Sequence, residues 1–129
     1  MKALIACITH YLENDSELLA LLNNENAFYL LEKPINEKHD HFIVFKIKEL
    51  TGGHINDYQI DFLITSKDVN KVIDIKERIK KIFDKPRSNN ELKHNNLTIR
   101  HSRLLNGGGM VKDEQTSEIT SVVYFLFKL

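Results

Sequence analysis

Hydrophobic and polar positions along this chain follow two different periods, and the switches between them divide it into elements. Leu4, Ile5, Ile8, Tyr11 and Leu12 recur at spacings of three and four, which predicts a helix with one apolar face. Asn14-Asp15-Ser16 stops it with side chains that compete for backbone donors. Asn14, with Glu17 three residues on, would cap a second, short helix through Leu18, Leu19, Leu21 and Leu22, which Asn23, Asn24 and Asn26 end. The period then falls to two. Ala27 to Glu32 is a short apolar run closed by Lys33-Pro34, as an edge strand would be. Phe42 to Leu50 sends Ile43, Phe45 and Ile47 one way and Phe42, Val44, Lys46 and Lys48 the other. Tyr58 to Thr65 repeats the pattern, with Ile60, Phe62 and Ile64 opposed by Gln59, Asp61, Leu63 and Thr65. Thr51-Gly52-Gly53-His54 between them is turn chemistry, so the two strands are predicted to pair as a hairpin.

Helical spacing returns after Ser66, a residue suited to cap a helix, with Asp68 in the first turn. Val69, Val72, Ile73, Ile79, Ile82 and Phe83 mark its apolar face, and Pro86 with Ser88-Asn89-Asn90 ends it. Leu97 to Leu105 reads as a third main strand and Ile119 to Leu129 as a fourth, joined by a flexible loop from Asn106 through Ser117. The order α-α-β-β-β-α-β-β calls for a single α+β domain over residues 1–129: a mostly antiparallel sheet of four main strands with helices packed on one face.

The last strand is apolar on both sides. Val122, Tyr124 and Leu126 fall on one face and Val123, Phe125 and Phe127 on the other. An antiparallel strand with one wet face should alternate apolar with polar. Either the second face meets another subunit, or the N-terminal helix crosses to cover it, or this is simply the central strand.

Composition narrows the class. Eighteen basic and eighteen acidic side chains cancel, which excludes a uniformly basic nucleic-acid coat and leaves self-association electrostatically unopposed. The 129 residues suffice for a core without disulfide or metal, and the single Cys7 sits in an apolar run. No stretch reads as a signal peptide or a membrane span, so a soluble, intracellular protein without a membrane partner is expected. The charges are segregated: −3 over the first 31 residues, against nine basic and five acidic side chains from Lys67 to Lys93.

Candidate chemistry is sparse. His39-Asp40-His41 could supply two metal ligands but has no signature for a third, and is read as a solvated connector. Gly107-Gly108-Gly109 lacks the spacing and the following Lys-Ser/Thr of a phosphate-binding loop, and is read as a binding loop. Asp57 and Asp61 are ordinary turn and solvent-face residues, and Cys7 with His10 is a buried thiol beside a surface histidine. No reaction and no cofactor is specified, and no catalytic or metal residue is assigned. The interaction candidates are Gly107, Gly108, Gly109 and Met110 in the loop, Lys76 and Lys80 on the basic helix, and Phe125 and Phe127 on the last strand. Lys76 falls within the apolar stripe, where its stem would run along its neighbours to water.

Order and lengths together resemble the tail-completion, or tail-to-head joining, proteins of long-tailed bacteriophages and prophages, a group that includes tail-terminator-like proteins. The resemblance runs over nearly the full chain. It is carried by Asp15 to Leu22, Phe28-Tyr29 before Lys33-Pro34, the hairpin strands Phe42 to Phe45 and Tyr58 to Phe62, Ile99 to Arg103, and Val122 to Leu126. It departs at the triple glycine with Met110, where such proteins usually carry an acidic loop with aromatics. The resemblance implies a non-enzymatic virion protein, made in the host bacterial cytoplasm. Such proteins form rings, commonly hexamers, between tail tube and head connector, and can stay monomeric until they meet the tail. DNA passes through the lumen without sequence readout. The alternative from the residues alone is a small nucleic-acid-binding or nucleic-acid-processing α+β domain.

Overall fold

The computed structural model describes residues 1–36, 39–50, 56–85 and 91–129. The Thr51-Gly52-Gly53-His54 turn and the stop at Pro86 and Ser88-Asn89-Asn90 lie outside the described residues. Helix α1 (Lys2–Glu13) and helix α2 (Ser16–Leu21) come first. The residue that caps α2 is Asp15 rather than Asn14: its carboxylate accepts from the Leu18 amide at 3.1 Å. Asn23 and Asn24 close α2 in the left-handed region, φ 58° and 59°, which asparagine tolerates better than most side chains.

Strands β1 (Phe28–Leu30), β2 (His41–Glu49) and β3 (Asp57–Ser66) follow, then helix α3 (Val69–Phe83). Ser66 ends β3 and its hydroxyl accepts from the Asp68 amide, while Asp68 itself caps α3 by accepting from Asn70. The buried stripe of α3 is Val72, Ile75, Ile79, Ile82 and Phe83; Val69 and Ile73, expected inside, are exposed. The run from Leu97 to Leu105 is not one strand. Strands β4 (Leu92–His94) and β5 (Leu97–Ile99) form a separate two-stranded sheet, and β6 (His101–Asn106) joins the main one. Strands β7 (Met110–Lys112) and β8 (Ile119–Lys128) complete the chain.

The main sheet has six strands in the order β1-β2-β3-β8-β6, with β7 also on β8. It is α+β as expected but mixed, because β1 runs parallel to β2 and every other pairing is antiparallel. Strands β6 and β7 lie in line on one side of β8, opposite Tyr124 to Lys128 and Ile119 to Ser121 respectively. The expected flexible loop is therefore an edge strand with an interruption, followed by a turn. Gly108 makes the interruption: its φ is +60°, and a Cβ there would stand 1.8 Å from the Val122 carbonyl oxygen. Asp113 builds the turn, accepting from the Gln115 amide at 2.9 Å.

All three helices pack on one face of the sheet. Leu4, Ile8 and Leu12 of α1, Leu18 of α2 and the α3 stripe meet Ile43, Phe45, Ile60, Phe62, Ile64, Val123, Phe125 and Phe127. At the centre, Phe83 lies 5.1 Å, ring centre to ring centre, from Phe62, and 5.7 Å from Phe127.

Candidate interaction surface

Period two in β2, β3 and β8 sends every second side chain away from the helices. The strand register places these side chains opposite one another in rows. Tyr29, Val44, Leu63 and Val122 make one row across four strands. Lys46, Asp61 and Tyr124 make the next, and Lys48, Gln59, Leu126 and Arg103 a third. Among the described residues no helix covers this face. Phe42, Val44 and Ala27 bury each other there as a small second cluster, against Tyr29 and Leu63. The ammonium of Lys33 sits 5.2 Å from the centre of the Phe42 ring.

An open cleft of about 330 Å³ lies on this face. Leu31 to Lys33 wall one side of it, the turn residues Asp113, Thr116 and Glu118 another, and Phe42, Val44, Leu63 and Thr65 line the sheet. Apolar floor and charged rim suit contact with a protein surface better than capture of a small metabolite.

The sequence candidates scatter around this face. Phe125 and Phe127 are wholly buried on the opposite side, so what surface this strand offers belongs to Val122 and Tyr124 on its other face. Gly107 to Met110 lie at the sheet margin, where Met110 is exposed. Lys76 is half-buried, and its Nζ lies 3.8 Å from where a Cβ on Gly107 would stand. Lys80 pairs with Glu77 at 3.2 Å on the helix side of the molecule. The acidic N-terminal segment and the basic helix meet within the chain: Arg78 holds Asp15 at 2.7 Å and Glu17 at 2.9 Å. Burial alone would raise the Asp15 carboxyl, but hydrogen bonds from Arg78 and the Leu18 amide outweigh it and hold the group below its ordinary range.

The remaining polar clusters serve structure. His39 contacts Glu25 and the Tyr29 hydroxyl, while His41 at the start of β2 bonds the Ser66 hydroxyl at 2.6 Å, so the two imidazoles are used separately. Among the described residues no three His, Cys, Asp or Glu side chains converge as a metal set. Cys7 is buried, which pushes its thiol up to about 11 and leaves it un-ionised near neutrality. His10 stacks on His94 at 4.3 Å and tethers α1 to β4, together with the Tyr11 hydroxyl, which donates to the Lys93 carbonyl and accepts from its amide. Among the described residues no helix is long and apolar enough to cross a membrane.

No protein-family model matches the chain, and no curated protein sequence matches it either. The fold has counterparts among solved structures. One is a chain of the structure described as "Virion of native gene transfer agent (GTA) particle", which superposes with a TM-score of 0.64 at 12% sequence identity. The likeness covers 95% of this chain and 91% of that one, so the two share a whole fold rather than a fragment.

Proposed function

We propose that this chain is a structural protein of a phage or phage-like particle, working at the head–tail interface. It completes the tail and joins it to the head connector as a ring, around a lumen that DNA traverses without being read. It assembles in the host bacterial cytoplasm and stays in the virion. Its partners are further copies of itself, the tail tube and the connector. It uses no cofactor, engages no membrane and catalyses no reaction.

The observation that carries this reading is the end-to-end likeness of fold to a chain of a virion, at 95% and 91% coverage. The open sheet face supports it. An apolar row of Tyr29, Val44, Leu63 and Val122, left without helices, fits a protein whose work is contact with other proteins.

Deleting the gene from producing cells and viewing the particles by electron microscopy tests the proposal. Separate heads and tails, or tails of uncontrolled length, are expected. Intact, correctly joined particles would contradict it. A purified chain that cut DNA, or bound it tightly, would favour the nucleic-acid domain instead.

A further inference from the structure

We infer that the β7 edge, with the glycines before it and α3 alongside, takes up the carboxyl-terminal end of a partner protein as an added antiparallel strand. This surface lies apart from the open sheet face, and its occupancy does not depend on the virion reading. The two strands along this side of β8 differ in what lies outside them. Strand β6 is closed: Lys85 exchanges backbone hydrogen bonds with Ser102, and the Asp84 carboxylate accepts from the Leu104 amide. Strand β7 is not. Gly109 and Asp113 bond β8 through their backbones, so with period two Met110 and Lys112 turn their N–H and C=O groups outward. Among the described residues β8 is the one strand that pairs with β7. An uncovered edge that also exposes Met110 and Val111 is a template for a further strand.

Two of the three glycines are unexplained within the chain. Gly108 needs its missing side chain, but a Cβ on Gly109 would meet nothing within 4 Å, and one on Gly107 only the end of Lys76. Neither has a positive φ. Glycines that the fold does not require mark a place where another backbone comes close. Helix α3 walls that place. Lys76 stands beside Gly107, and Ile73 and Val69 follow on the same side of the helix toward its start. That start adjoins Ser66, which pairs with Ile119, the residue opposite Lys112, so the line runs along β7. Met110 stands on the helix side of the sheet too, opposite Ser121. Val69, Ile73 and Met110 are all exposed, and the core uses none of them.

Charge and closure select the occupant. Lys76 is half-buried and, among the described residues, makes no ion pair, unlike Arg78 and Lys80 on the same helix. The acids around this edge are engaged or lie at its other end. Glu77 holds Lys80, Asp84 holds the Leu104 amide, and Asp113 and Glu114 follow the far end of β7. An anion therefore belongs at the glycine end. A strand laid on β7 also has to stop there, because β6 beyond is closed. A chain end satisfies both conditions, with its terminal carboxylate on Lys76 and its last side chains among Val69, Ile73 and Met110. With its terminus at the glycines, the added strand runs antiparallel to β7.

Short peptides from a randomised library, displayed with free carboxyl termini, are selected on the full chain, and the enriched sequences are measured by fluorescence anisotropy. They are expected to carry apolar residues near the terminus, and amidating that terminus should weaken binding about tenfold or more. Lys76→Met, which keeps the apolar stem, should weaken it as much, Lys76→Arg should retain it, and Ile73→Glu should abolish it. Neither position is fully buried, so folding, checked by circular dichroism, is expected to be unchanged. Amide exchange separates an added strand from other contact: the peptide should slow the Met110 and Lys112 amides, which point away from β8. No enrichment, equal binding of amidated peptides, or binding that leaves these two amides unprotected overturns the proposal. So does their protection on concentrating the chain alone, which assigns the edge to a second copy. The virion reading stands or falls separately, by the gene deletion above.

Discussion

The two faces of the main sheet are built from the same strands and do opposite work. On β8, Val123, Phe125 and Phe127 are fully buried against the helices, while Val122 and Tyr124, on the other side, remain half-exposed. The buried face holds a stack of aromatic rings around Phe83; the open face holds a small cluster and a cleft. Folding explains one apolar side of this strand; for the other, contact with neighbouring protein is the reading the proposed function offers. The lesson is that hydrophobicity alone does not tell which face is which. The position of the helices does.

Substitutions on the two faces should separate stability from assembly. Phe83→Ala should have the largest effect on folding, about 3–5 kcal/mol, because it empties the centre of the aromatic stack. Thermal unfolding should register this as a midpoint lower by more than about 10 °C. Gly108→Ala comes next, at about 2 kcal/mol or more, since the added Cβ meets the Val122 carbonyl and the residue must hold a positive φ. Denaturant unfolding would show it, and a fully stable variant would argue against the tight approach of β8.

Asp15→Ala should cost about 2 kcal/mol, by removing both the α2 cap and the partner of Arg78. Its pH dependence has a definite sign. Because the folded carboxyl lies below its unfolded value, its stabilisation is present above about pH 4 and is lost as pH falls through the lowered folded value. An acid titration of the unfolding midpoint should be flatter in that range for Asp15→Asn than for the native chain. On the open face the order reverses. Leu63→Ser should change stability by only about 1 kcal/mol, since the side chain is half-exposed, yet it should reduce incorporation into particles. Equal loss of stability on the two faces would erase the distinction between them.

Most of the buried face was legible from period two and period 3.6. The hairpin of β2 and β3 pairs Phe45 with Phe62 as the alternation implies, and the end of β1 precedes Pro34. The misreadings have physical causes. In α3, Val69 and Ile73 satisfy helical spacing as well as Ile75 does, and only the sheet's position selects among them. The apolar run from Leu97 to Leu105 hides a break. Asn95-Asn96, with Asn95 at φ 53°, is a two-residue turn that ties Leu97 back to His94, and that asparagine pair was the available signal. Three glycines suggested mobility, but Gly108 is where a strand passes close to its neighbour, and Met110-Val111 marked the strand beyond it. The charge segregated between the first 31 residues and Lys67 to Lys93 is partly met within the chain, where Arg78 holds Asp15 and Glu17. The open face was hardest to read, because its rows form only when β1, β2, β3 and β8 are set side by side.

A reconstruction by cryo-electron microscopy of particles from the producing cells, at a resolution that traces this chain, tests the central claim most directly. The account predicts several copies around the particle axis, between tail and head, with the row of Tyr29, Val44, Leu63 and Val122 covered by neighbouring protein. Particles without the chain, or copies whose open face points into solvent, would contradict it.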